Sequence, residues 1–254
     1  MDALVRKLNE LGYQPVFLPQ TNIVPPELYT YSRKLRRLVR RGPLLDYFPE
    51  QTKFEMKEGK LADIAYQYTS AKGVKATTSF LENSLRCIGI EALPKLDLGF
   101  AGSNSFSFAF TDVSYRRVEV SQIDKLIQAL QLGAIPQSVV NEGGIHIAYE
   151  YAYANELLMR RSDGMAFSSD VSGKVGTFID IGTKGSVSLT SETTISFKGE
   201  PGQRAAFAYK AGFLSKEDED SVWEFHPEET NRDEGGAQEY VPERGVVLGV
   251  SVDE

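Results

Sequence analysis

The 254-residue sequence holds one cysteine, two histidines and one tryptophan. A lone Cys87 excludes an intrachain disulfide framework and agrees with a reducing compartment. Cys87 falls on the apolar side of an expected helix with no histidine nearby, so it reads as a small buried hydrophobe and not as a nucleophile. His146 and His226 are far apart and outside any metal-ligand spacing such as His-Glu-x-x-His, so each reads as an ordinary strand or loop residue. Gly143-Gly144 and Gly235-Gly236 read as turns, because no glycine-rich loop joins a strand to a helix as phosphate binding requires. The apolar runs are only a few residues long, too short for a transmembrane helix. The start lacks the apolar core of a signal peptide, so the expectation is a chain that begins in the cytosol. No catalytic constellation emerges, and neither an enzyme nor a bound cofactor is expected.

The charge is unevenly spread. Residues 217–254 carry 13 acids against Arg232 and Arg244, a net of −11. Residues 1–216 carry 26 Lys and Arg against 22 Asp and Glu, a net of +4. A basic body with an acidic tail suits a body that meets an anionic surface, although a solvated tail on an ordinary domain has the same composition. No linker divides residues 1–227, which read as one domain followed by an acidic tail, 228–254. The tail either covers basic surface and restrains the body, or ends in a strand over 246–252.

Local signals place several elements. Asp2 caps a short helix with Leu4, Val5, Leu8 and Leu11 on its apolar side, stopped by Gly12. Residues 13–18 read as a strand ended by Pro19. After Pro25-Pro26, the stripe Leu28, Tyr31, Leu35 and Leu38 has helical spacing, which predicts a helix over 27–41. Its other face is basic, with Arg33, Lys34, Arg36, Arg37, Arg40 and Arg41. Together with Arg6 and Lys7 these form the candidate site for acidic lipid; a nucleic-acid partner ranks well below, for want of interleaved aromatics. Further helices are expected over 80–92, opened by the Ser79/Glu82 capping pair, and over 122–132.

The most informative signal is alternation with a period of two. Over 96–110 one face reads Leu96, Leu98, Phe100, Gly102, Asn104, Phe106, Phe108 and Phe110; the other is small and polar. Ile145, Ile147, Tyr149, Tyr151 and Tyr153 alternate with His146, Ala148, Glu150 and Ala152. Over 167–181 the apolar positions include Val175, Ile179 and Ile181, and 62–77 shows a weaker case with Ile64, Tyr66 and Tyr68. Ordinary strands run about five or six residues, whereas a strand that crosses a bilayer needs about 9–11, apolar outside and polar within. A long antiparallel sheet covered on one face writes the same pattern, and both readings can hold in one protein.

These residues resemble the gasdermin pore-forming domain. The opening LNELGYQPVFLPQTNIVPPEL resembles the start of the compact bacterial and fungal gasdermins. FSFAFTDVSYRRVEVSQIDKLI resembles their strand, acidic turn and helix, with Asp112-Val113 at its centre. IHIAYEYAYANELLMRRSDG, then ISFKGEPGQRAAFAYKAGFL and VWEFHPE, resemble later strands of the family. The resemblance implies an α+β fold, a twisted antiparallel sheet with surrounding helices, able to refold into two membrane β-hairpins near 61–110 and 145–190. Leu98, Phe100, Phe106, Phe108, Ile147, Tyr149, Tyr151, Val175 and Ile179 are the candidate inserting residues, with Ser107 and Ala148 expected to face the lumen. It implies a cytoplasmic inactive form, a plasma-membrane active form, a homo-oligomeric or variant-paired hetero-oligomeric ring on acidic phospholipid, and lytic cell death. Two departures bear on the branch. The chain is too short for the vertebrate repressor domain, and residues 2–10 lack the cysteine on which bacterial members are usually lipidated. On this basis the sequence looks most like the fungal regulator-of-cell-death proteins of allorecognition. A bacterial gasdermin in antiphage defence, held inactive by its tail, is the second reading, and a lipid-surface adaptor that never inserts is the third.

Overall fold

The computed structural model describes residues 8–32, 37–48, 53–69, 105–127, 144–161, 166, 179–180, 185–199, 203–215 and 223–227. In chain order the strands are β1 (Gln14–Gln20), β2 (Glu27–Ser32), β3 (Arg37–Pro43), β4 (Met56–Lys60), β5 (Ile64–Thr69), β6 (Ser105–Thr111) and β7 (Ser114–Val118). Helix α1 (Val120–Ile127) follows, then β8 (Ile145–Ala154), β9 (Glu156–Arg161), β10 (Ile179–Asp180), β11 (Gly185–Ser191), β12 (Thr194–Gly199), β13 (Ala205–Ser215) and β14 (Glu224–Pro227). They build two antiparallel sheets. The first runs β1-β13-β8-β2-β3, with β14 on β13 and the β4-β7 pair on β8; the second runs β10-β11-β12-β9-β6-β5.

The first sheet is covered on both faces. Ile123 and Ile127 of α1 pack with Leu28, Ile145, Ile147, Leu214 and Phe225 on one side. The other side is a tyrosine-rich layer of Tyr29, Tyr151, Tyr153 and Tyr209 with Val16, Ile23, Leu38 and Ala148. Buried hydroxyls need partners, and these have them: Tyr29 with Tyr151 at 2.9 Å, Tyr153 to the Ile23 carbonyl at 2.7 Å, and Tyr209 to Gln14 Oε1 at 2.7 Å. Buried Glu150 accepts from the Tyr13 hydroxyl and pairs with Lys210 Nζ at 3.2 Å. Burial, with Glu150 alongside, pushes the Tyr13 phenol well above its ordinary pKa, so it stays a donor.

Several expectations are corrected. Residues 27–32 and 37–41 are not helical. They form the β2-β3 hairpin in antiparallel register, Thr30 opposite Val39 and Tyr31 opposite Leu38. Tyr29, Thr30, Tyr31 and Val39 fit a pleated surface better than a helix, and β2 sits between β3 and β8 with both faces buried, so the coincidental helical stripe lost to strand pairing. β1 runs through Pro19 to Gln20, tolerable because it is an edge strand paired with β13 alone. The helix expected at 122–132 starts at Val120; residues 128–132 lie outside the described part. Residues 8–10 are helical and Gly12 ends the turn at φ 78°, as expected, although Leu11 is exposed. Among the described residues the fold is chiefly β, with α1, that turn and a 3-10 turn at Leu44–Tyr47 as its helical parts. The expected elements over 80–92 and 246–252 lie outside the described residues.

The long alternation of 145–153 does not mark one continuous face. Opposite Lys210 and Ala211 stand Glu150 and Ala148, so Tyr149 is an extra residue in β8. At this bulge β8 also changes neighbour, from β2 at Ile145–Ala148 to β7 at Glu150–Tyr153. A bulge inverts the side-chain alternation beyond it. Ile145 and Ile147 therefore join the cluster under α1, while Tyr151 and Tyr153 join the tyrosine layer.

The two sheets meet where strands of one pass directly into strands of the other. β4 enters β5 through residues 61–63, β6 enters β7 through Asp112-Val113, β8 enters β9 through Asn155 alone, and β12 enters β13 after Gly199. Stacking of Phe110 on Phe207, with ring centroids 3.8 Å apart, joins the second sheet to the first.

Candidate functional site: a two-faced sheet and a basic hairpin

The second sheet carries the pattern that singled out 96–110. The β5-β6 register sets Ile64, Tyr66 and Tyr68 opposite Phe110, Phe108 and Phe106, and Ala65 and Gln67 opposite Ala109 and Ser107. The same rows continue into strands whose own sequences did not single them out. Phe110 is aligned with Leu157, which is aligned with Phe197 and then Val187. Phe108 is aligned with Met159, then Ile195, then Leu189. Between these rows lies one that reads Ala65, Ala109, Leu158, Ser196 and Ser188. Five strands thus share two continuous rows of large apolar residues, and the row between is small or polar except at Leu158. Phe110, Leu157, Met159, Ile195 and Phe197 are buried, whereas Arg160 and Lys198 are exposed. The short runs Leu157/Met159 and Ile195/Phe197 alternate too, but over only two positions each, too few to stand out in sequence.

The candidate inserting residues separate. Phe106 and Phe108 lie on β6, and Ile179 on β10, in the second sheet. Ile147, Tyr149 and Tyr151 lie on β8 in the first sheet; Ile147 and Tyr151 are fully buried, and Tyr149 packs edge-on against Phe225 at 5.9 Å. Ala148, expected to face a lumen, is 0 % exposed in the tyrosine layer. Leu98, Phe100 and Val175 lie outside the described residues.

Of the basic candidates, Arg37, Arg40 and Arg41 lie on β3. Arg37 opens β3 opposite Ser32, and Arg33, Lys34 and Arg36 belong to the connection, outside the described residues along with Arg6 and Lys7. Arg41 is exposed and donates from Nε to Thr30 Oγ1 at 2.9 Å. Arg40 is committed elsewhere: Nε and Nη2 donate to the two carboxylate oxygens of Glu27 at 2.6 and 2.7 Å. Glu27 is 2 % exposed, and its hydrogen bonds hold the Arg40 guanidinium above its already high pKa. Arg40→Gln would leave that carboxylate buried and unpaired. It is expected to cost about 2–3 kcal/mol, seen as a fall in melting temperature of roughly 5–10 °C; an unchanged transition would show that the pair contributes nothing.

Among the described residues no group of three or more His, Cys, Asp or Glu could hold a metal ion, and no helix is long and apolar enough to cross a membrane, which leaves strands unaddressed.

Comparison with known proteins bears on this arrangement. The Bacterial Gasdermin Family model matches residues 16–222. The chain is 37% identical over 255 residues to the gasdermin bGSDM of Piscinibacter sakaiensis, covering 97% of this chain and 94% of that protein. A solved bacterial gasdermin from Bradyrhizobium tropiciagri aligns over 87% of this chain and 88% of its own at 11% identity, with a TM-score of 0.46. The matched family is the bacterial branch, the second of the two weighed from sequence, which corrects the preference for the fungal one. With most of its length matched by the family model, the chain belongs to the bacterial gasdermin family.

Proposed function

We propose that this chain is a pore-forming protein whose second sheet is the membrane-inserting unit. The observation that carries this is the pair of apolar rows aligned through β5, β6, β9, β12 and β11, alternating with a smaller and more polar row. A sheet of that kind fits one face to lipid and the other to water once its edges close into a barrel, since closure leaves no backbone group unpaired. In the soluble fold one of these rows meets the first sheet where Phe110 stacks on Phe207, and Leu157, Met159, Ile195 and Phe197 are buried. The basic β2-β3 hairpin would supply attraction to acidic phospholipid, and copies of the chain would assemble into a ring. Moving between a cytoplasmic form and the plasma membrane and lysing the cell follows from that activity. Membership of the bacterial family favours antiphage defence over fungal allorecognition as its setting, with the acidic tail at 228–254 as a restraint.

The test is dye release from liposomes. The chain should release dye from vesicles rich in anionic phospholipid and far less from neutral ones. Binding without release would favour a lipid-surface adaptor instead. The aligned rows argue against that reading, because an adaptor needs no second amphipathic sheet.

A further inference from the structure

Among the described residues four passages join the sheets, and three of them converge on one carboxylate. Asp112 stands between β6 and β7 at φ 52°, a left-handed conformation that Asp tolerates better than most residues. Its Oδ2 accepts from Arg204 Nη2 at 2.5 Å and Nε at 3.2 Å, and from Asn155 Nδ2 at 2.9 Å. Arg204 lies just before β13, and its Nη1 also donates to Ser114 Oγ at 3.1 Å at the start of β7. Asn155 is the single residue between β8 and β9, and its backbone N–H donates to the Thr111 carbonyl at 3.1 Å. The fourth passage is tied one residue further on: Leu61 N–H donates to the Val113 carbonyl at 2.9 Å, and Val113 N–H to Asp63 Oδ1 at 3.2 Å. Three of the ties meet in the Asp112 carboxylate, and the whole set spans all four of these passages.

We propose that Asp112 and Arg204 form a latch that holds the second sheet against the first, and that opening it is a step in the sheet's release from the soluble fold. This rests on the reading of that sheet as the inserting unit. The geometry suits a latch better than a rigid weld. The pair is charge-assisted, so it is directional and stronger than a neutral hydrogen bond. It is also 35 % and 39 % exposed, beside a polar cleft of about 810 Å3, so water and ions reach it. An exposed pair is weak enough to open without unfolding the first sheet, whose tyrosine layer makes no use of it. The Arg204 guanidinium holds the Asp112 carboxyl below the usual carboxylate range, as an engaged pair requires.

The experiment compares Asp112→Asn, Arg204→Gln and the double variant with the parent, by hydrogen exchange of the soluble protein and by liposome dye release. Tyr29→Phe, which removes a hydrogen bond within the first sheet, is the control. Exchange in β5, β6, β9 and β12 should quicken about two- to fivefold in either single variant, with β2, β8 and β13 unchanged. The double variant should exchange more slowly than the two single effects added together, because both single variants break the shared Asp112–Arg204 contact. Tyr29→Phe should not produce this pattern. Equal quickening in both sheets, no quickening, or additive effects would overturn the latch. Dye release should quicken in step with exchange. A parent protein that releases no dye would count against the pore reading, and the exchange rates would still decide for or against the latch.

Discussion

Leu189→Asp and Phe108→Asp are expected to abolish dye release from anionic liposomes, while Ser188→Asp and Ser107→Asp keep most of it. Leu189 and Phe108 occupy one apolar row, joined through Ile195 and Met159; Ser188 and Ser107 occupy positions of the opposite alternation. A charge on the lipid side of a barrel costs about 2–4 kcal/mol near mid-bilayer, and the cost recurs in every subunit of a ring. Leu189 is the better probe, because it is only half-buried in the soluble fold, whereas Met159 and Ile195 are buried and a charge there would attack folding first. Tyr149 and Ala148, the matching pair in the other expected hairpin, are poorer probes. Ala148 is fully buried and Tyr149 packs on Phe225, so charging either attacks folding first. Circular dichroism establishes which variants fold. Equal loss of release from both alternations among folded variants would sink the assignment of this sheet to the membrane.

Replacing Arg33, Lys34 and Arg36 together by glutamate should lower sedimentation with anionic vesicles by about a hundredfold or more. Each basic residue near an anionic leaflet contributes about 1 kcal/mol, and reversal adds repulsion to that loss. Arg40 is left intact in this test, since its guanidinium is held by Glu27 and its removal would confound binding with stability. Raised salt should weaken parent binding in the same direction, because exposed charges are screened. Equal binding of parent and variant, or of neutral and anionic vesicles, would show that this hairpin does not meet the lipid.

The sequence was most legible where one strand keeps an unbroken period of two. Ser105–Thr111, within the alternating stretch 96–110, is such a strand, and its register with Ile64–Thr69 sets aromatic positions opposite one another at Tyr66/Phe108 and Tyr68/Phe106. Legibility failed where tertiary context reverses a local rule. The bulge at Tyr149 splits a seemingly uniform face between two cores, and nothing in the string IHIAYEYAYA announces it. The Leu28, Tyr31, Leu35, Leu38 spacing fits a helix, yet β2 needs apolar residues on both sides because strands flank it and cores cover it. Leu157, Met159, Ile195 and Phe197 sit on strands of six residues, too short to carry a period, and only their register reveals the rows. The acidic turn at Asp112-Val113 was visible, but its partners Asn155 and Arg204 are 43 and 92 residues away and could not be.

The order β12-β9-β6-β5 has a metric consequence. These four strands are neighbours, and each is rooted in the first sheet by a short passage, so they stay side by side in the same sequence wherever the sheet goes. Adjacent strands lie about 4.8 Å apart, so the four span roughly 19 Å across. If each protomer gives this strip to a closed wall, the wall grows by that width, increased by strand tilt, with every protomer added. The measured girth of the opening would then count the subunits.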